Sequence, residues 1–239
     1  AFDPTSTTPI GIVALNALYG GELEAGKQPD YWFVDGGRYL GSEIIKDYQP
    51  NIPIVYELWD IHYVGTTSQT VPVTFNNARG CLRVLESIYR DVPPFSLGDS
   101  NLMDLAHTPP AILPETNIPV PQNIFGREPV HDWCYYYEKA DLARDLGDWQ
   151  AVTALEEEAA AQGYQPNNGA ELLPFIQANA MQANSEQALA LSRQSAQLSA
   201  EMNRPICNLW RRLEAEGPAG DERQSAVATA RAAFFCPVW

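Results

Sequence analysis

Residues 147–155 read Gly-Asp-Trp-Gln-Ala-Val-Thr-Ala-Leu, and residues 183–191 read Ala-Asn-Ser-Glu-Gln-Ala-Leu-Ala-Leu. The two stretches start 36 residues apart, and each sets a turn before an alanine- and leucine-rich helical pattern. A third, weaker turn, Gly220-Asp221-Glu222, starts 37 residues after the second. Each turn follows one helix-like stretch and precedes another. A period of this length with two helices per unit is the pattern of a helical solenoid, in which a lone hairpin cannot bury its apolar face and neighbours stack to do so. Three helical hairpins are therefore expected over residues 130–239.

Upstream the pattern changes. Residues 93–129 contain Pro93, Pro94, Pro109, Pro110, Pro114, Pro119, Pro121 and Pro129. Proline removes a backbone donor and stops helices, so this stretch is read as an extended connecting segment. Residues 1–92 read as a small α+β or α/β unit with a mixed sheet. Thr8 caps a helix over 9–19 with Pro9 at its first position, Ile10, Val13, Ala14 and Ala17 on its apolar face, and Gly20-Gly21 as its stop. Strands are expected at 30–34 and 38–40 around Asp35-Gly36-Gly37, at 54–64 as one long strand, and at 70–75 and 81–86 around the turn residues 76–80. Pro72 makes the fourth of these an edge or a bulge, and a short helix is expected near 42–47.

Composition narrows the class. Of 239 residues, 45% are hydrophobic and 19% charged, which is a globular balance, and the formal net charge is −15. A nucleic acid or an anionic membrane surface calls for clustered Lys and Arg, so neither is expected as a partner. No apolar run reaches the length of a membrane span, so direct insertion is not expected either. The chain begins at Ala1 without a signal peptide, which reads as a soluble piece of a longer protein or a processed form. His62, His107 and His131 are scattered and no cysteines form a C-x-x-C pair, so no zinc site is expected.

One motif invites a nucleotide and fails on context. Gly21, Gly26 and Lys27 have the spacing of a phosphate-binding loop. Such a loop needs a preceding strand, a following helix and a hydroxyl after the lysine. Here a helix precedes, an extended Tyr31–Val34 follows, Gln28 stands in the hydroxyl position, and Glu22 and Glu24 repel phosphate. The stretch is read as a helix end and a turn, and no cofactor is expected.

The segment Ala143-Arg144-Asp145-Leu146-Gly147-Asp148-Trp149, continuing to Ala159 and then Pro166-Asn167-Asn168, resembles a tetratricopeptide repeat. Gly147-Asp148-Trp149 matches the family's turn, and Ala140 and Ala159 match its small helix-contact positions. The second repeat matches at Ala188 and carries Leu172 and Phe175 at apolar positions, without the turn glycine. Lys139 and Glu156 depart from the family, standing where it has large apolar residues. The resemblance covers the last 110 residues or so and implies an all-α tetratricopeptide-like array that binds protein segments.

A second resemblance rests on Gly65-Thr66-Thr67-Ser68-Gln69, Gly80-Cys81-Leu82-Arg83-Val84-Leu85 and the run from His131 to Ala143. These strings resemble extracytoplasmic C-terminal regions of large bacterial polytopic membrane proteins, some of them like membrane glycosyltransferases that use lipid-linked sugars. The catalytic carboxylates of such proteins lie in a membrane half with no counterpart here, so no catalytic residue carries over. The resemblance implies an extracytoplasmic location, tethered through a membrane segment outside this chain. The cysteines bear on that location. If Pro205–Glu216 and Glu222–Phe235 form a hairpin, Cys207 and Cys236 sit side by side, and elimination pairs Cys81 with Cys134. Two such bridges belong in an oxidising compartment. The other reading is four buried free thiols.

Candidate chemistry is sparse. Asp60 and His62 would share one face of a strand over 54–64, as an acid–imidazole pair with no nucleophile placed by any motif. Asp132 reads as an N-cap and His131 as its neighbour at a cleft. Trp133, Tyr135, Tyr136 and Tyr137 offer either a sugar-stacking surface or core aromatics. Glu156-Glu157-Glu158 reads as a solvated face, and Asp99-Ser100-Asn101 with Asp104 lacks the spacing of a calcium loop. The expectation is a non-catalytic extracytoplasmic binding or assembly domain of a larger membrane protein. Its partner would be another protein or the membrane part of its own parent chain. The alternative is the glycan- or acceptor-binding part of a glycosyltransferase-like enzyme.

Overall fold

A computed structural model describes residues 11–16, 20, 24, 26–33, 51–58, 60–69, 71, 73–74, 80–92, 122 and 126–239. These fall into two units, one within Ala1–Val71 and Asp104–Pro129, the other within Pro72–Met103 and Val130–Trp239.

In the first unit residues 11–16 are helical, and the N–H of Gly20 closes on the carbonyl of Asn16 at 3.0 Å. The buried face is Ile12 and Asn16, one turn apart. It is not the face expected from the sequence, because Val13 is 51% exposed. The reason is polar: the Asn16 amide donates to the Tyr31 carbonyl at 2.8 Å and accepts from the Tyr31 N–H at 3.1 Å, so it serves that backbone as a strand would.

The expected long strand is two. β1 (Pro53–Leu58) and β2 (Ile61–Thr66) pair antiparallel, with Leu58 opposite Ile61. A two-residue connection without Asn-Gly or Asp-Gly is hard to read from sequence. Alternation then sorts the faces: Val55, Glu57, His62 and Val64 are exposed, while Tyr56 and Tyr63 are half-buried. Tyr56 and Tyr63 are cross-strand partners, and the Trp32 ring stacks on both at 5.8 and 5.7 Å. Residues 31–33 are thus a cover for the hairpin rather than a strand.

In the second unit, β3 (Val73–Thr74) and β4 (Arg83–Val84) make a short antiparallel pair. Among the described residues both sheets are two-stranded and antiparallel, where a mixed sheet was expected. The expected turn at Asp35-Gly36-Gly37, the helix near 42–47, Thr8 and Pro9, Pro72 and most of the proline-rich stretch lie outside the described residues.

From residue 130 onward the chain is helical. Six α-helices follow: α1 (Trp133–Asp145), α2 (Trp149–Ala161), α3 (Leu173–Met181), α4 (Ser185–Leu198), α5 (Asn203–Glu216) and α6 (Asp221–Ala233). They pair as α1/α2, α3/α4 and α5/α6. The first helices touch in the order α1, α3, α5, and α4 touches α6. Short 3₁₀ turns, Gly169–Leu172 and Ala200–Met202, lead into α3 and α5.

The repeated turns explain the spacing. Gly147 takes φ +73, and the Asp148 side chain then caps α2 by accepting from the Ala151 N–H. Ala183 takes nearly the same backbone, φ +60, at the matching place before α4. Alanine there costs about 1 kcal/mol relative to glycine.

The core runs through all three hairpins. Tyr137, Ala140, Val152, Ala159, Phe175, Ile176, Ala188, Ile206, Leu209, Trp210 and Ala230 are buried. Ala140 and Ala159 are fully buried, which is where small residues let helices approach. Each large aliphatic or aromatic side chain contributes about 1.5–3 kcal/mol by leaving water. Gly169 is required by close approach: a Cβ there would lie 2.4 Å from the Ser195 carbonyl oxygen.

Two disulfides are formed, Cys81–Cys134 and Cys207–Cys236, with no free cysteine among the described residues. They close sequence separations of 53 and 29 residues, each worth about 3–4 kcal/mol in the chain-entropy account. Among the described residues no helix is long and apolar enough to cross a membrane.

Candidate functional site

Residues 80–92 form a strap laid across the first helices of the array. Cys81, Arg83, Leu85, Ile88, Tyr89 and Val92 are buried in the helical core. The sequence reading grouped this segment with the strand region; its partners are α1, the turn before α3, and α5.

At one end the organiser is Glu171, fully buried in the turn before α3. Its carboxylate accepts from the Cys81 N–H at 3.0 Å, the Trp133 indole N–H at 2.7 Å, the Asn167 N–H at 2.7 Å and the Asn168 amide at 2.9 Å. A buried carboxylate without such donors is strongly unfavourable, and here four neutral donors surround it. Glu138, on α1, accepts from the Leu82 N–H at 3.0 Å. Burial pushes its carboxyl pKa up, against the pull of that N–H. Gly80 sits so close that a Cβ would lie 2.4 Å from Asn168 Nδ2 and 2.6 Å from Glu171 Oε1.

In the middle, the Tyr137 hydroxyl donates to that of Tyr89 at 2.8 Å, and burial raises both phenol pKa values. The Arg83 guanidinium lies 5.1 Å from the Tyr89 ring centroid. Arg144 donates to Asp141 at 2.7 Å and to Glu86 of the strap. Burial opposes the Arg144 charge, but the anionic groups beside it, Asp141 foremost, hold its pKa above the ordinary arginine value. Burial wins at Glu86 and raises its pKa in spite of Arg144. At the far end Asp91 accepts from Asn208 at 2.6 Å and from Arg204 at 2.9 Å, and Arg212 donates to the Ser87 hydroxyl at 3.1 Å.

This arrangement fixes position. Its carboxylates are engaged with donors, so it works as a polar lock rather than as a set of free acids, bases or nucleophiles. Among the described residues, no three His, Cys, Asp or Glu side chains converge as a metal site would require.

The residues singled out from sequence are divided by the fold. Trp133 and Tyr137 point into the core and offer no surface to a ligand, which corrects their inclusion in a ligand face. Consecutive helical positions point about 100° apart, so the aromatic run cannot form one platform. His131, Tyr135 and Tyr136 are half-buried. The His131 ring stacks on Tyr135 at 3.5 Å, Lys139 donates to the Tyr135 hydroxyl at 2.7 Å, and Tyr136 packs against Tyr164 at 5.7 Å. Asp132 caps α1 as expected, accepting from the Cys134 N–H at 3.0 Å.

The pair Asp60 and His62 is not made, because Asp60 lies in the hairpin turn and His62 stands opposite Glu57, 3.9 Å away and exposed. Lys27 pairs with Glu24 at 2.6 Å on the surface. Glu156 is not on a solvated face. It accepts from Asn179 at 2.7 Å and Gln187 at 2.8 Å, joining α2 to α3 and α4, and burial raises its pKa. The sequence reading missed Glu171, Arg144 and Glu86 altogether. Glu86 and Glu171 carry one signal, a charge beside apolar neighbours, and Arg144, among other charged residues, carries none.

Away from the strap, an open groove of about 430 Å³ runs between α4 and α6, lined by Glu186, Leu189, Arg193, Glu222 and Thr229 among others. No protein-family model matches this chain, and no curated protein or solved structure is significantly similar to it.

Proposed function

We propose that this chain is a non-catalytic, exported binding or assembly domain belonging to a larger membrane protein, built on a tetratricopeptide-like array. The carrying observation is the pair of disulfides pinning a helical-hairpin array. Disulfides persist in oxidising, extracytoplasmic compartments, and stacked hairpins present broad surfaces to other proteins. The 36-residue offset of the turns and the buried Ala140 and Ala159 support the repeat reading.

The strap supports a partner surface elsewhere on the array. The first-helix face is filled by residues 80–92, so the partner, a second protein or the membrane part of the parent chain, meets the second-helix layer and its α4–α6 groove. In-cell photo-crosslinking tests this on exported protein. A photoreactive residue at position 193 is expected to give a discrete protein adduct, and Thr229→Arg, at an exposed position of the same groove, to abolish it with unfolding unchanged. Adducts from position 135 and none from 193 would move the partner to the aromatic row.

The half-buried row His131, Tyr135, Tyr136 and Tyr164 keeps one rival in view, a glycan- or acceptor-binding part of a glycosyltransferase-like enzyme. A glycan array decides it. Binding lost on Tyr136→Ala, with stability retained, favours the rival; an array without response favours assembly.

A further inference from the structure

We propose that the two disulfides are chemically unequal: Cys81–Cys134 is open to exchange with a reducing dithiol and latches the strap, whereas Cys207–Cys236 is a fixed structural bridge. Exposure does not separate them. Each joins one buried cysteine, Cys81 or Cys207 at 4% and 6% exposed, to one half-buried cysteine, Cys134 or Cys236. The surroundings of the sulfurs do.

Cys134 is the second residue of α1, a 13-residue helix, and its N–H is capped by Asp132. A thiolate at a helix N-terminus is favoured by the helix dipole, which here acts against the Asp132 carboxylate capping the same turn. The side-chain amide of Asn167 lies 3.5 Å from Cys81 Sγ and 3.6 Å from Cys134 Sγ, a donor positioned for the sulfur that takes the charge. The second bridge has the opposite setting. Cys236 lies just beyond the C-terminus of α6, its Sγ 3.9 Å from the Ala230 carbonyl oxygen, and Cys207 Sγ is 3.8 Å from the Phe234 carbonyl oxygen. Carbonyl oxygens at a helix C-terminus disfavour thiolates. A stabilised thiolate in the reduced state makes a disulfide easier to reduce and exchange faster.

The exchange balances as follows. A thiolate of the external dithiol attacks Cys134 Sγ, the accessible sulfur, and forms a mixed disulfide. The Cys81 sulfur leaves with the bonding pair, the Asn167 amide 3.5 Å away donating to it, and takes the proton given up by the second thiol of the reductant. The second thiol of the reductant, as thiolate, then attacks its own partner sulfur and expels Cys134 as a thiolate. The protein gains two electrons and the dithiol becomes a cyclic disulfide.

Release of Cys81 loosens the start of the strap, where the Cys81 and Leu82 amides are held. The test uses the intact oxidised chain, graded dithiothreitol and differential alkylation read by mass spectrometry. Cys81 and Cys134 are expected to become alkylated at least tenfold faster than Cys207 and Cys236. Hydrogen exchange at the Cys81 and Leu82 amides should rise in step. Equal rates, or Cys207–Cys236 opening first, would overturn the proposal. Asn167→Ala keeps the backbone N–H bond to Glu171 and should slow opening of Cys81–Cys134 severalfold while leaving the other bridge unchanged. A rate unaffected by Asn167→Ala would remove the amide from the account, and protected Cys81 and Leu82 amides after reduction would overturn the latch.

Discussion

The β1–β2 hairpin and the strap begin from similar sequence, short runs of β-branched, leucine and tyrosine residues, and meet their backbone requirements in different ways. The hairpin pairs its N–H and C=O groups with a strand that follows at once, so its partner lies within 13 residues. The strap has only two residues of ladder with β3, and the amides of Cys81 and Leu82 go instead to carboxylates on residues 171 and 138. An extended segment buried against helices has no ladder to join, so helix-borne acids must supply the acceptors. Hairpin order is therefore local and graded, and strap order depends on a few distant side chains.

Glu171→Ala strikes hardest at that difference. It takes the acceptor from the buried Trp133 indole and Cys81 N–H, and from the Asn167 N–H and the Asn168 amide. At about 1–3 kcal/mol for each orphaned donor, the second unit should lose about 4 kcal/mol or more, read as a drop in the urea midpoint. A loss below about 1 kcal/mol would mean that the strap does not depend on this carboxylate.

Cys81→Ser with Cys134→Ser removes the covalent tie without altering the carboxylates of Glu171 and Glu138. The expected loss is about 3–4 kcal/mol from the freed unfolded chain. Trypsin cutting at Arg83 should accelerate, with the hairpin unit untouched.

Ala183→Gly addresses the repeat itself. Glycine relieves the left-handed backbone and should stabilise by about 1 kcal/mol in thermal or denaturant unfolding. Destabilisation would show that the turn is not held as Gly147 is.

Glu156→Gln reads through pH. The folded-state pKa of Glu156 is raised by burial, so the native state binds its proton more tightly than the unfolded chain does. Its contribution to stability is fully present below the ordinary carboxylate range and declines as pH rises through the folded-state value. The stability of the wild-type chain relative to Glu156→Gln should therefore fall between acid and neutral pH. A difference independent of pH would contradict the shift.

Val55→Thr marks the smallest effect. Val55 is 68% exposed on the outer face of the hairpin, and the change should stay within about 0.5 kcal/mol. Leu85→Thr in the strap, at a buried position, would carry a core penalty.

Several elements were legible for clear reasons. The hairpin array is written as a spacing, because Gly147 and Ala183 take nearly the same left-handed backbone before α2 and α4, 36 residues apart. Asp132 was legible as a cap because capping is local, and so were the cysteine pairs, since a hairpin over 205–235 brings its ends together. The aromatic run misled, because Trp133 and Tyr137 face inward while Tyr135 and Tyr136 do not, and composition carries no direction. Glu156 read as surface because three glutamates in a row usually are. Only contact with α3 and α4 turned one of them inward.

The sequence by itself determined the helical-hairpin array and the acidic balance, which follow from spacing, propensity and composition over a few to a few dozen residues, and it left the cysteines between two bridges and four free thiols. The tertiary structure alone decided that residues 80–92 belong to the helices and that Glu171, Arg144 and Glu86 hold them there. Those contacts join groups 58 and 90 residues apart, and a buried charge is indistinguishable in sequence from a solvated one until its donors are in place.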